Sequence, residues 1–171
     1  MDLKSTIRTI PDFPIEGVMF RDITTLFKNG EALKQLIDEI KASLDGKQVD
    51  LVVGPEARGF IIGTALAYAL GVGFVPARKP GKLPCETISY EYALEYGTDK
   101  LEIHTDAVQP GQNVVVVDDL LATGGTAAAV AKLVEKAGGK VVGLRFAIEL
   151  DSEFDVSSVL GEYDVWAAMH Y

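Results

Sequence analysis

V114-V-V-V-D-D-L-L-A-T-G-G-T126 decides the fold. Four consecutive valines, 114–117, form an apolar run too short for a buried helix and rich in β-branched side chains, which makes it a strand buried on both faces. Two aspartates follow, and within eight residues of the last valine come Gly124 and Gly125. After Thr126 the spacing turns helical up to residue 137, where Gly138 and Gly139 stop it. Strand, glycine turn and helix in that order make one unit of an α/β domain.

The same alternation runs outward in both directions. Upstream, residues 31–44 place Leu33, Leu36, Ile37, Ile40 and Leu44 at helical spacing, with Gly46 as a stop. DLVVG (50–54) predicts a short buried strand, GFIIGTALAYALG (59–71) a largely buried helix, and GFVPA (73–77) another strand. Downstream, 140–148 predicts a further strand, and DVWAAMHY near the end one more. Strands that are continuous apolar runs between helices imply a parallel sheet covered on both faces. Ligands of such sheets bind beyond the carboxyl ends of the strands, here after Gly54, Ala77 and Val117. Two regions break the pattern. Residues 1–28 are irregular, with turns at Pro14 and Gly17. Residues 78–104 are rich in proline, glycine and charge, then alternate around Ile88, Tyr90 and Tyr92, which predicts a hairpin turning near Gly97.

Composition bounds the function. The chain has 171 residues, 48% of them hydrophobic and 24% charged, which suits one folded domain. A net charge of −9 disfavours nucleic acid and anionic membrane surfaces as partners. Cys85 is the one cysteine, so neither an internal disulfide nor a cysteine zinc cluster is possible, in keeping with a reducing, cytoplasmic setting. The first residues lack the apolar core of a signal peptide, and no apolar run approaches a membrane span.

Against that acidic background the opening stretch has the makings of a sugar-phosphate site. Gly124 and Gly125 let backbone N–H groups close on an anion, the following helix adds partial positive charge, and Thr123 and Thr126 add hydroxyl donors. The stretch lacks the Gly-Lys-Ser/Thr ending of a Walker loop and is not a dinucleotide fingerprint. Asp118 and Asp119 would repel the phosphate itself. They suit the neighbouring hydroxyls of a ribose whose 5-phosphate sits in the loop, or a Mg²⁺ on that sugar. Arg78, Lys79 and Lys82 form the densest basic cluster in the chain, just beyond a strand end.

VVVVDDLLATGGT resembles the phosphoribosyl-pyrophosphate signature of the type I phosphoribosyltransferases. FPIEGVMFRDIT (13–24), GPEARGF (54–60), RKPGKLP (78–84) and LEYGTDKLEIH (94–104) are similar, in the same order, to the adenine branch of that family. The resemblance covers most of the chain to about residue 148. It implies a Rossmann-like parallel sheet flanked by helices, an N-terminal hood over residues 1–30, a core over 31–171 and a flexible hairpin lid over 79–102. It also implies the reaction of adenine with phosphoribosyl pyrophosphate to give AMP and pyrophosphate, with Mg²⁺ and in a homodimer.

Residue by residue, the resemblance assigns the ribose hydroxyls to Asp118 and Asp119 and the 5-phosphate to Ala122, Thr123, Gly124, Gly125 and Thr126. Pyrophosphate falls to Glu56, Ala57, Arg58, Lys79, Lys82 and Tyr96. Glu95 becomes the general acid/base at the imidazole edge of the purine. The base itself falls to Val18, Phe20, Arg21 and Leu120, although periodicity does not separate stacking from core packing at Phe20. Ala122 argues against 6-oxopurines, since enzymes for hypoxanthine and guanine resemble a version with Asp there. Two rivals keep less of the sequence. A non-catalytic ligand sensor would carry a DNA-binding extension or basic face, and a carboxylate phosphotransfer domain needs a nucleophilic Asp with a later lysine partner. His104, His170 and Trp166 are expected to be structural.

Overall fold

The computed structural model describes residues 1–94 and 96–171. Its centre is a five-stranded, wholly parallel sheet. In chain order the strands are β3 (Leu51–Pro55), β4 (Gly73–Ala77), β7 (Asn113–Leu121), β8 (Lys140–Glu149) and β9 (Val165–His170), and in space they run β4-β3-β7-β8-β9. The four valines sit on the central strand and are fully buried. Alternation of the pleat divides them: Val114 and Val116 join the core under helix α4 (Gly125–Lys136), while Val115 and Val117 join the core under α2 (Gly30–Ala42) and α3 (Arg58–Leu70). Burying each is worth about 1.5–3 kcal/mol, so one short run anchors both layers.

Asn29 caps α2, accepting from the backbone N–H groups of Glu31 and Ala32, and Leu36, Ile37 and Ile40 face the sheet. Helix α3 is apolar nearly all round and ends at Gly71 in the left-handed region (φ 72°). Two glycines let it approach the sheet: a Cβ on Gly63 would meet the Phe74 ring at 2.4 Å, and one on Gly59 would meet Asp118 Oδ1 at 2.9 Å.

The sheet strands and long helices fall where the periodicity places them, to within two residues or so. The opening stretch departs in one respect. Strand β7 does not stop at the aspartates but continues through Leu121, because β8 keeps pairing with it at Asp118↔Phe146 and Leu120↔Ile148. The aspartates therefore ride on a rigid strand rather than on a loop.

The irregular first segment contains a 3-10 turn (Leu3–Thr6), a small antiparallel pair β1 (Arg8–Ile10) and β2 (Phe20–Asp22), and the single-turn α1 (Thr24–Phe27). Asp22 pins it. Its carboxylate accepts from the Thr24 hydroxyl at 2.6 Å and from Arg8 Nε at 2.9 Å, and these bonds hold its pKa down to about 2. The Arg21 guanidinium lies 4.2 Å from the centre of the Tyr171 ring, which ties the segment to the last strand.

The expected hairpin forms from β5 (Thr87–Ala93) and β6 (Thr98–His104), with Gly97 at φ 84° in the turn. Its base is anchored: Leu101 and Ile103 are buried in the α4-side core, and Arg78 bridges to Glu102. A final short helix, α5 (Ser157–Leu160), was not anticipated; its Leu160 is buried against the glycine turn, 3.2 Å from where a Cβ on Gly124 would lie.

Candidate active site

Beyond the carboxyl ends of β3 and β7 lies a cavity of about 340 Å³. Its walls are the turn after β3 (Glu56, Ala57, Arg58) and the continuous stretch from Asp118 to Ala127. One side is an anion cradle. Gly124 precedes α4 in the left-handed region (φ 86°), and among the described residues no side chain caps the helix's first turn. The residues of that turn line the cavity, their N–H groups without a side-chain acceptor among the described residues, beside Thr123 and Thr126.

The other side is acidic. Asp119 is buried to 7% exposure, and its Oδ2 accepts from Arg58 Nε at 2.5 Å. The Asp119 N–H donates to Asp118 Oδ1 at 2.8 Å. Burial, with the Asp119 charge next to it, pushes the Asp118 carboxyl well above the usual range. The Asp119 carboxylate conversely raises the pKa of Arg58. Two neighbouring carboxylates on a rigid strand, one of them held toward its protonated form, thus line the same cavity as the glycine turn.

A second cavity of about 110 Å³ adjoins the first, with Arg58, Asp119 and Leu120 in the wall of both. Val18, Phe20 and Arg21 of the N-terminal segment roof it, so the four residues expected around the base come together at one place. Phe20 is held edge-on by Phe13 at a centroid distance of 5.2 Å. Met19, Ile148 and Leu150 also line this cavity. The latter two belong to the end of β8 and the residue beyond it, and the strand-end rule applied to 140–148 would have found them.

The pyrophosphate set divides. Glu56, Ala57 and Arg58 reach the wall of the larger cavity, across a cis Glu56–Ala57 peptide. Glu56 is engaged on the protein itself, accepting from the Lys79 N–H at 2.8 Å and Arg78 Nε at 3.2 Å, which holds its pKa down. Lys79, Lys82 and Tyr96 do not line that cavity. The Lys79 ammonium is ion-paired with Asp99 of the hairpin, and Tyr96 is 88% exposed. Glu95 lies outside the described residues. His170 is engaged elsewhere, with Nδ1 at 2.9 Å from Asp151 Oδ2, and Trp166 packs partly buried on the α2–α3 side.

The sequence of residues 22–152 matches the model of the phosphoribosyl transferase domain. Over all 171 residues the chain is 59% identical to an adenine phosphoribosyltransferase of Clostridium beijerinckii, covering 99% of that protein. The fold superposes with a TM-score of 0.95 on the adenine phosphoribosyltransferase of Thermoanaerobacter pseudethanolicus, at 55% identity over 99% of this chain and 98% of that one. It superposes at 0.90 on the Saccharomyces cerevisiae enzyme complexed with an imino-altritol bisphosphate and adenine, at 41% identity over 97% and 96%. The chain is thus alike to these proteins over its full length in both sequence and fold, and it belongs to the adenine phosphoribosyltransferase family.

Proposed function

We propose that the protein transfers the 5-phosphoribosyl group from phosphoribosyl pyrophosphate to N9 of adenine, forming AMP and pyrophosphate as a purine-salvage enzyme. The observation that carries this is the junction of the two cavities at Arg58, Asp119 and Leu120. A sugar seated between the cradle and the aspartates would turn C1 toward that junction, where the base cavity opens. Adenine in the complex of the yeast relative agrees with a purine-binding cavity.

In this account the 5-phosphate takes the N–H groups and hydroxyls of Ala122, Thr123, Gly124, Gly125 and Thr126. Asp118 and Asp119 take the ribose hydroxyls. As the bond to pyrophosphate lengthens, positive charge grows on the sugar, and preorganised carboxylate charge stabilises it. Phe20 and Leu120 sandwich the purine, and the backbone from Val18 to Arg21 reads its edge. Ala122 leaves no acid to meet a 6-oxopurine. Glu56, Ala57, Arg58, Lys79, Lys82 and Tyr96 attend the leaving pyrophosphate. Glu95 serves as the general acid/base at the imidazole edge of the base.

Mg²⁺ fits as a companion of the substrate. The carboxylate oxygens of Asp118 and Asp119 are hard donors, whereas Asp119 is already committed to Arg58, so the ion would be held chiefly by pyrophosphate and sugar oxygens beside them. Bound there, it would neutralise charge on the leaving group. Residues 1–30 act as the base-binding hood on a core of 31–171, and the hairpin within 79–102 acts as a lid whose tip closes to exclude water. A homodimer is supported by the outward face of α3, where Ile61 and Tyr68 are 46% and 90% exposed on an otherwise apolar helix. A cytoplasmic location is supported by the single exposed Cys85. The test is AMP formation from adenine, phosphoribosyl pyrophosphate and Mg²⁺. Product that requires all three supports the proposal, and none at any Mg²⁺ concentration refutes it.

A further inference from the structure

Arg58 lines the larger cavity, Arg78 and Lys79 each donate to its wall residue Glu56, and each of the three cations is held by a carboxylate: Arg58 by Asp119, Arg78 by Glu56 and Lys79 by Asp99. The first two carboxylates belong to the cavity wall. Asp99 does not. It stands on β6 of the hairpin, directly across the strand pair from Tyr92. Its Oδ2 receives both the Lys79 ammonium and, at 3.4 Å, the Tyr92 hydroxyl, while its Oδ1 accepts from the Lys100 N–H at 2.8 Å. The Tyr92 oxygen in turn lies 3.5 Å from Thr126 Oγ1, in the first turn of the cradle helix.

The backbone and the side chain of Lys79 point to different partners. Its N–H is fixed on Glu56, a wall residue, so the main chain sits at the cavity's edge. Its ammonium is turned away onto the hairpin, and neither Lys79 nor Asp99 lines the cavity. A lysine side chain has four rotatable carbons and reaches several ångströms, so the ammonium can exchange partners without moving the backbone. The pair is partly exposed, with side chains 42% and 26% accessible, and such pairs hold weakly. A pyrophosphate group offers more negative charge than one carboxylate and competes for the ammonium.

We propose that Asp99 is a latch for Lys79: it stores the ammonium off the cavity in the free protein and releases it to a pyrophosphate group. The latch weakens binding of every pyrophosphate-bearing ligand and so favours release of the pyrophosphate product. Tyr92 links it to the cradle, since a phosphate that takes the Thr126 hydroxyl competes for the contact next to Asp99. The inference rests on the proposed role of Lys79 at the leaving group, and it assigns Asp99 as a positioning residue rather than a catalytic one.

The test is calorimetric binding of pyrophosphate with Mg²⁺ to the full chain and to Asp99→Asn, Lys79→Gln and the double variant, each first melted to confirm folding. Asparagine keeps the shape of Asp99 and an acceptor for Tyr92. An exposed pair of this kind predicts that Asp99→Asn binds pyrophosphate about two- to fivefold tighter. Lys79→Gln should bind more weakly, and Asp99→Asn should bring no tightening once Lys79 is gone. Equal or weaker binding by Asp99→Asn, with Lys79→Gln still impaired, overturns the latch and leaves the role of Lys79 standing. The same tightening in the Lys79→Gln background also overturns it, because removal of one negative charge would then explain the effect. Unchanged binding by Lys79→Gln overturns the role of Lys79 and the latch together.

Discussion

Replacing Asp119 by asparagine should separate catalysis from folding. The carboxylate has two jobs in the structure: it holds Arg58 at 2.5 Å, and it lines both the cavity at the glycine turn and the smaller one under Phe20. The first contributes little to stability. The Arg58 side chain is 47% exposed, so screening reduces the pair to about 1 kcal/mol or less. Removing the Asp119 charge also relieves its repulsion of Asp118, which offsets part of that loss. The melting temperature should therefore stay within about 2–4 °C of wild type. The second job is worth more. Hydrogen bonds to a charged acceptor contribute about 1.5–3 kcal/mol each, and the substitution removes the charged acceptor of one ribose hydroxyl while Asp118 keeps the other. The expected fall in kcat/KM for phosphoribosyl pyrophosphate is about ten- to 150-fold. Initial rates of AMP formation at varied concentrations of each substrate, with a melting curve on the same preparation, provide the comparison. Near-native kcat/KM would refute the role given to the pair. A collapse of the melting temperature by tens of degrees would show Asp119 to be a structural residue.

Other perturbations reach different parts of the site. Asp118→Asn should stabilise the free protein near neutral pH. A carboxyl whose folded pKa is raised stabilises fully only below its ordinary 3.8 and loses that contribution as pH rises through the folded value, so the variant's advantage should shrink toward acid pH in a series of melts. Gly124→Ala would force a Cβ onto a backbone at φ 86° and to 3.2 Å from Leu160, and should raise KM for phosphoribosyl pyrophosphate while leaving that for adenine nearly unchanged. Glu95→Gln should lower kcat more than it raises KM for adenine; steady-state kinetics showing a change in KM alone would make Glu95 a binder only. Phe20→Leu should raise KM for adenine severalfold, read in the same assay, and an unchanged value would return Phe20 to simple packing.

The sheet was legible because its inner strands are buried on both faces and read as unbroken apolar runs, as LVVGP does for β3. The small elements were not. Strands β1 and β2 have three residues each with partly exposed patterns, and they persist through Arg8 and Asp22, fourteen positions apart, a pairing that no local period announces. Helix α5 is one turn long and owes its place to Leu160 packing under the glycine turn. The end of β7 was misplaced because aspartate disfavours strands locally, while pairing with β8 overrides that preference.

Within the site, residues whose backbone shapes the cavity were legible from motif and spacing, as Gly124 and Asp118 show. Charge partners were not. Arg58 and Asp119 are 61 positions apart, and the hairpin that carries Asp99 to Lys79 must form before that pair can exist. The sequence therefore marked Arg58, Arg78 and Lys79 as a basic set without showing that acids already hold them.

The most direct measurement is a base panel. Adenine, hypoxanthine, guanine, xanthine and orotate are each incubated with the protein, phosphoribosyl pyrophosphate and Mg²⁺, and nucleotide and pyrophosphate are followed together. AMP and equimolar pyrophosphate from adenine, with no product from the oxo bases, is the expected result. Nucleotide from hypoxanthine or guanine would contradict the base cavity as described around Phe20, Leu120 and Ala122, and no product from any base would contradict the transfer itself.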